Sequence, residues 1–197
     1  RLADQPRGLP KVWREVLAAE DAELIDALLD VSVADLIDPS LARALTGRED
    51  ADGLLARSEA RVLFLARLGT EGWFAVHALV RSALLAELGR RAPTRLTEQH
   101  ARAARWFENA GEVPAALEHW LLAGRHREAL RLLAIKHAEL YDSGRSAAIQ
   151  RTIAALPREL ATADGESMLE FAWCHMLVDR RRFLELVDQA TWWADRS

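Results

Sequence analysis

Residues 62–77 read VLFLARLGTEGWFAVH, and this stretch decides the fold because the pattern of the chain changes here. Residues 62–68 are rich in strand-forming side chains, Gly-Thr-Glu-Gly at 69–72 has the composition of a turn, and residues 73–76 predict a returning strand. From His77 to about Arg91 the apolar residues fall at helical spacing again. The stretch therefore predicts a β-hairpin followed directly by a helix.

The sequence before the hairpin predicts helices, because Leu and Ala dominate it and Gly and Pro are few. Apolar residues at helical spacing follow Pro10, occupy residues 24–29, follow Pro39 and occupy residues 50–60. Between residues 30 and 38 the pattern is lost, so we predict no regular element there. Helices followed by a two-stranded wing and one more helix are the order of a winged-helix domain.

From Thr94 onward the sequence predicts only helices and short turns, each helix with an apolar stripe wide enough to bury one face. Gly111 and Gly124 each precede an Ala-Leu pair by five residues, and Gly144 precedes Ile149 by five. A glycine in the left-handed conformation would end one helix, and a small residue would let the next helix pack closely. The step from Gly111 to Gly144 is near the length of a tetratricopeptide repeat.

We therefore predict a mainly α fold with a boundary near residue 92. Residues 1–92 would form a winged-helix domain with a small β-hairpin, and residues 93–197 a tetratricopeptide-like antiparallel helical array. Two tryptophans at 192 and 193 have no following helix, which indicates an array that continues beyond this chain. The absence of an initiator Met also suggests a fragment of a longer protein.

Composition excludes several classes of function. The net charge of −4 over 197 residues gives no overall basic footprint for nucleic acid. A single cysteine, Cys174, rules out a disulfide framework and a cysteine zinc cluster, and it fits a reducing compartment. No apolar run reaches the length of a membrane span, and no signal segment follows Arg1. We expect a cytoplasmic chain without a membrane partner.

Short motifs carry a more specific resemblance. They are LARALTGRED at 41–50, LLAR at 54–57, LFL at 63–65, GWFAVHALVR at 72–81, and a set of Ala-, Trp- and Gly-containing motifs over residues 103–124. These resemble the segment that follows the nucleotide-binding domain in large LuxR-type, MalT-like transcriptional regulators, which belong to the signal-transducing ATPases with numerous domains. The resemblance is best over residues 41–160.

The resemblance implies a role for each part. In that family an upstream P-loop domain binds ATP or ADP, and the winged helix packs on it and helps to hold the resting state. The helical array receives a small-molecule or protein effector, and a C-terminal helix-turn-helix binds DNA. This chain contains only the middle two parts, and it has no Gly-x-x-x-x-Gly-Lys-Ser/Thr motif. We expect no enzyme activity and no cofactor in this chain itself, with ATP or ADP bound by its parent protein.

His77 and Arg81 are the candidate site residues. His77 lies at the strand-to-helix junction, where free backbone N–H groups and the helix dipole favour an anion. The resemblance implies that His77 contacts the ADP phosphate in the full-length protein; the alternative is a partly buried histidine that a backbone group satisfies. Arg81 lies one turn on and would either assist or be solvated.

Other charged and aromatic residues point to structure more than to chemistry. The third helix of the winged helix carries four acidic residues between 49 and 59, which would repel DNA phosphates, so we expect no direct DNA contact. Arg180–Arg182 predicts a solvated turn, or a contact for an acidic partner or a phosphate. We predict that His100 is a core histidine and that Cys174 is a buried, inert thiol. No pair of histidines has the spacing of metal ligands. We predict that the tryptophans pack in the core; the alternative is that they line a ligand groove.

Two other classes of protein remain as rivals. A helical-repeat interaction scaffold unrelated to transcription would fit residues 93–197 equally well, but it has no need of the hairpin at 62–76. A helical hydrolase would need clustered carboxylates or a nucleophile beside its base, and the sequence shows neither.

Overall fold

The computed structural model describes residues 21–60, 65–68, 72–162 and 164–194. The described part of the chain is mainly helical with one small sheet, as predicted. The predicted helix after Pro10 and the first residues of the predicted hairpin strand, 62–64, lie outside the described residues. The elements before the array are α1 (Ala22–Val31), β1 (Leu36–Ile37), α2 (Pro39–Thr46), α3 (Ala51–Ala60), β2 (Leu65–Leu68), β3 (Trp73–Val76) and α4 (Ala78–Arg91).

The sheet has three antiparallel strands in the order β1-β3-β2. The predicted hairpin pairs Leu65 with Val76 and Leu68 with Trp73. Gly72 has a φ of 80°, a conformation that glycine adopts at little cost before the returning strand. The expectation of no regular element at residues 30–38 was wrong, because β1 pairs Leu36 with Ala75 and Ile37 with Phe74. A strand of two residues is too short to show a period, and only its partner strand defines it.

Helix α2 shows how local sequence fixes an element. The Asp38 carboxylate accepts a hydrogen bond from the backbone N–H of Leu41 over 2.6 Å, which caps the helix, and Pro39 occupies the first turn. Gly47, with a φ of 69°, ends it. Helices α1, α3 and α4 supply a core cluster whose large aliphatic members are Leu24, Leu28, Leu29, Leu54, Val80, Leu84 and Leu88.

The chain divides into two compact units, the first ending at Trp106 and the second beginning at Phe107. The division falls inside α5 (Pro93–Asn109), whereas the predicted boundary coincides with the start of this helix. Side-chain hydrogen bonds explain the difference. Gln99 donates to the buried Asp30 carboxylate over 2.6 Å, and Trp106 donates from Nε1 to Ser40 Oγ over 3.0 Å. These contacts hold α5 against α1 and α2 as far as Trp106.

The second unit contains the end of α5 and, among the described residues, six further helical elements. These are α6 (Val113–Leu122), α7 (His126–Asp142), α8 (Ser146–Ala155), a 3-10 helix (Arg158–Thr162), α9 (Gly165–His175) and α10 (Arg180–Ala194). Helix α7 packs against α6, α8 and α9, and α9 packs against α10. The array is a run of neighbouring helices joined by short turns.

The helices of the array repeat at the constant spacing that separates Gly111 from Gly144, called the repeat spacing below. Helices α5 and α7 both have 17 residues and begin at Pro93 and His126, and α6 and α8 both have 10 residues and begin at Val113 and Ser146. Gly111, Gly124 and Gly144 have φ angles of 78°, 68° and 74°, which confirms the predicted left-handed turns.

Each of these three turns is closed by the same hydrogen bond. The N–H of the residue after the glycine donates to the carbonyl four residues before the glycine, over 2.8–2.9 Å, in the Glu112–Phe107, Arg125–Trp120 and Arg145–Leu140 pairs. The residue five positions after each glycine, Ala116, Ala129 or Ile149, is fully buried. The same turn geometry therefore places a buried residue at the same position in three successive helices, α6, α7 and α8.

The third repeat departs from the first two. Helix α9 ends at His175, one repeat spacing after α7 ends at Asp142, but its first turn is replaced by the 3-10 helix after Pro157. The prediction of a solvated turn at Arg180–Arg182 was wrong, because α10 begins at Arg180. The Asp179 carboxylate accepts a hydrogen bond from the Arg182 N–H over 3.0 Å, which fixes that helix start.

Candidate functional site

His77 is the residue that joins strand β3 to helix α4. It has φ −57° and ψ 127°, and its side chain is exposed and makes no capping hydrogen bond. Its carbonyl accepts from the Arg81 N–H over 2.9 Å, which starts the helix. The structure thus differs from the alternative interpretation, a partly buried histidine that a backbone group satisfies. An exposed imidazole beside the N-terminus of a 14-residue helix can donate to an anion.

Arg81 uses its guanidinium inside the first unit. Its Nη2 donates to the carbonyl of the buried Val33 over 3.0 Å, and its Nε is buried without a hydrogen-bond partner in the described part of the chain. The expectation of a solvated side chain was therefore wrong. Burial, with a contribution from the Arg81 charge, lowers the pKa of His100 to about 4, and His100 is a core residue as predicted. The contact of His77 and Arg81 with a nucleotide stays a prediction.

Two arginines that flank α3 are held in ion pairs. Arg48 contacts Glu23 over 2.6 Å and Asp50 over 2.8 Å. Arg67 contacts Glu59 over 2.7 Å and lies 4.7 Å from the centre of the Phe74 ring. The Arg48 and Arg67 guanidiniums lower the pKa of the Asp50 and Glu59 carboxyls, so both acids are ionised at neutral pH. Paired charge therefore flanks this helix at Arg48 and Arg67.

The tryptophans of the second unit divide between core and surface. Trp120 is buried and donates from Nε1 to Glu108 over 3.0 Å, whereas Trp173 is 46% exposed. Trp173 and the exposed Leu169 line a groove of about 430 Å³ with Phe183 and Val187. Burial raises the pKa of Glu170 at its edge. The side chain of Trp193 lies outside the described residues.

A larger cleft of about 710 Å³ opens between α8, the 3-10 helix, α9 and α10. Its apolar lining includes the buried Leu156, Phe171 and Leu186. Arg158, Arg182 and Gln189 are its polar lining residues. A concave apolar surface with a few polar groups is the usual form of a small-molecule site.

Other chemistry is sparse in the residues that the structure describes. No group of three or more His, Cys, Asp or Glu residues among them could hold a metal ion. Cys174 is fully buried, and burial raises the pKa of its thiol to about 12, in agreement with the predicted inert thiol. None of the described helices combines the length and the apolar composition that crossing a membrane requires.

Comparison with known proteins agrees with this geometry. The family model described as the MalT winged helix domain matches residues 13–96. The chain therefore carries a winged-helix domain of the MalT type. The predicted resemblance is confirmed, and the three-stranded sheet with its helices is the structural form of this domain.

Two kinds of relative extend the similarity into the helical array. The chain is 30% identical over 166 residues to serine/threonine-protein kinase PknK of Mycobacterium tuberculosis and Mycobacterium bovis, which covers 84% of this chain and 15% of PknK. It is 28% identical over 174 residues to the HTH-type transcriptional regulator MalT of Cronobacter sakazakii, which covers 87% of this chain and 19% of MalT. The chain thus spans less than a fifth of these relatives.

Sequence reasoning missed Arg158 and Gln189 of the cleft and the contact between Arg81 and Val33. The repeat holds a signal for the cleft, because Gln189 follows Leu156 by one repeat spacing and replaces an apolar residue with an amide. The Arg81 contact joins residues 48 positions apart, and no local pattern marks it.

Proposed function

We propose that this chain is the regulatory middle of a MalT-like, ATP-dependent transcriptional regulator. It would couple binding of an effector or protein partner on the helical array to an upstream nucleotide-binding domain and a downstream DNA-binding domain. Coupling of this kind requires that the ligand bind two states of the parent protein with different affinity. The array would be tetratricopeptide-like, and the parent protein would be cytoplasmic.

The observation that carries the proposal is the shared segment. One stretch of winged helix and array is similar both to a part of a protein named as a kinase and to a part of a protein named as a transcriptional regulator. A segment that is shared by proteins with different activities does not account for the activity of either protein. This supports a sensing and coupling role for the chain, with catalysis and DNA binding in other parts of the parent.

His77 is the proposed contact between the winged helix and nucleotide. Its side chain is exposed and makes no capping bond at the start of α4, so it is open to a phosphate that another domain presents. Arg81 would act less directly, because its bond to Val33 fixes the first turns of the same helix. The chain itself would hold no cofactor and catalyse no reaction.

The experiment is the His77→Ala substitution in the full-length parent protein. We expect faster ADP release and higher basal output than in the unsubstituted protein. His126→Ala is the matched control, because His126 is also the residue at the start of a helix but lies in the array. ADP release that is unchanged in His77→Ala, or equally changed in both variants, would remove His77 from the mechanism.

A kinase is the second candidate for the parent protein, favoured by the 30% identity to the PknK segment. The helical-repeat scaffold unrelated to transcription is the third. The coding sequence on both sides of this segment separates them. A P-loop domain upstream with a helix-turn-helix downstream supports the regulator, and a kinase domain supports the second candidate. The absence of all three would leave the scaffold.

A further inference from the structure

The cleft of about 710 Å³ in the second unit lies where the helical repeat changes its packing. Helix α6 packs against α8, its counterpart one repeat later. Helices α8 and α10 have the same relation in sequence, but the cleft is lined by both of them and separates them. The 3-10 helix after Pro157 takes the place of the first turn of α9 and supplies Arg158 to the lining. The opening therefore follows from a local change in the third repeat.

Two of the three polar residues of the cleft occupy positions that are apolar and buried in the earlier repeats. Arg182 corresponds, one and two repeat spacings earlier, to Ile149 and Ala116, which are both fully buried. Gln189 corresponds in the same way to Leu156 and Ala123, which are also buried. Two substitutions of this kind on one face of α10 replace helix packing with hydrogen-bonding groups beside an apolar cavity.

The charges of the lining favour an anion. Arg158 and Arg182 line the cleft, and no Asp or Glu among the described residues does. Arg182 contacts Glu185 over 3.0 Å, but Glu185 also contacts Arg181 over 3.2 Å, so this group of three keeps one positive charge. Arg158 makes no ion pair with any residue in the described ranges. A guanidinium matches a carboxylate with two parallel hydrogen bonds.

We propose that this cleft binds a small amphipathic carboxylate, with its acid group between Arg158 and Arg182 and its aliphatic or aromatic body against Leu156, Phe171 and Leu186. The Gln189 amide would supply a further hydrogen bond. The volume suits a ligand of this class. Binding depends on the cleft alone, whereas a role for the ligand as effector also rests on the proposed coupling function.

The test is a calorimetric titration of the 197-residue chain with octanoate, up to about 10 mM. Octanamide is the neutral probe of the same shape, and inorganic phosphate probes the anion site without an apolar body. We expect octanoate to bind at least about tenfold more tightly than either, because the charged hydrogen bonds and the apolar contacts are both needed. Equal binding of octanoate and octanamide, equal binding of phosphate, or no binding of octanoate would overturn the proposal.

Variants locate the site. Arg158→Gln and Arg182→Gln should each weaken octanoate binding by about tenfold. Arg182→Ile, which copies Ile149, should weaken it at least as much. Arg180→Gln is the control, because it removes a neighbouring charge that does not line the cleft, and it should leave affinity within about twofold. An equal loss in Arg180→Gln and Arg158→Gln would show a general charge effect and contradict the site.

Two further measurements keep the outcomes distinct. Circular dichroism shows whether each variant keeps its helices, and Arg158→Gln still tests the site if an α10 variant unfolds, since Arg158 lies on a different element. Octanoate is then added to the full-length parent. Binding to the cleft without any change in ADP retention or output would uphold the site and contradict a role for its ligand as effector.

Discussion

Arg81 Nη2 donates a hydrogen bond over 3.0 Å to the carbonyl of Val33, a residue 48 positions earlier in the chain. Val33 is fully buried and lies between α1 and β1. Because the backbone carbonyl of a buried residue needs a partner, the first turns of α4 are joined to the segment that precedes the sheet. This bond holds the first turn of α4 against that segment, four residues after His77.

Removing this bond should destabilise the winged helix. Arg81→Met leaves the Val33 carbonyl without its donor, and we expect the free energy of unfolding to fall by about 1–3 kcal/mol. Urea denaturation followed by circular dichroism measures it. Arg90→Gln is the control on the same helix, because Arg90 is 69% exposed and its partner Glu87 also contacts Arg91. Equal stability of the two variants would mean that the Arg81 bond contributes nothing.

Stability should also depend on pH through His100. Burial and the Arg81 charge lower the pKa of His100 from 6.5 to about 4, so the unfolded chain takes up a proton in a pH range where the folded chain does not. The stability of the neutral form is therefore complete above about pH 6.5 and is lost as the pH falls towards 4, by about 3 kcal/mol in all.

The measurement is the free energy of unfolding of the unsubstituted chain and of His100→Gln between pH 7 and 4. Carboxylates also titrate in this range, so the informative quantity is the difference between the two proteins. It should change with pH by about 1.4 kcal/mol for each unit below 6.5. A constant difference would show that His100 does not change its charge on unfolding.

The parts of the fold that follow from local chemistry were predictable. Gly111, Gly124 and Gly144 mark turns because few other residues adopt a positive φ, and the hairpin follows from strand formers on both sides of a turn. Strand β1 was not predictable, since two residues carry no period and the pairing partner lies in β3. Neither was the start of α10 at Arg180, where three arginines suggested a solvated turn and the Asp179 cap formed a helix.

The candidate sites were predictable only in part. His77 was found from its place between strand and helix, but the direction of the Arg81 side chain depends on a carbonyl that is distant in sequence. The cleft depends on comparing residues one repeat spacing apart and on the 3-10 helix after Pro157. Apolar stripes predicted the α-helices of the array individually, yet the space between two helices depends on the packing of both.

Two glycine substitutions should act in opposite directions. Gly144→Ala forces a side chain into a backbone with φ 74° and should lower the free energy of unfolding by about 1 kcal/mol or more. Gly53→Ala lies within α3, where a Cβ would meet no atom within 4 Å, and should raise it by about 0.5–1 kcal/mol. Thermal unfolding of both variants checks the signs. A loss of stability in Gly53→Ala would contradict the helical packing described for α3.

Cys174 should resist thiol reagents while the protein is folded. The thiolate is the reactive form, and burial, together with the nearby Glu170 charge, raises the pKa of this thiol to about 12. At pH 8 we expect modification by a disulfide reagent to be at least about a hundredfold slower in the native chain than in urea. Rapid labelling of the native chain would show that α9 opens far more readily than its packing against α7 and α10 indicates.

The winged helix should bind DNA poorly because Arg48 and Arg67, which flank α3, are paired with acids. We expect no binding of a labelled duplex by the 197-residue chain at about 150 mM salt, since its net charge is −4 and these two arginines already contact carboxylates. The double variant Asp50→Asn, Glu59→Gln removes the carboxylate that Arg67 contacts and one of the two that Arg48 contacts. It should increase non-specific affinity at about 50 mM salt and steepen the dependence on salt.

The control for this increase is Glu139→Gln, Glu166→Gln, which removes two ion-paired acids from the array. The net charge changes equally in both double variants, so only the winged-helix pair should increase affinity if position matters. Fluorescence anisotropy over a salt series measures both. Sequence-specific binding by the unsubstituted chain that persists at about 150 mM salt would show that this domain recognises DNA directly. It would contradict the proposal that the chain acts only between other domains.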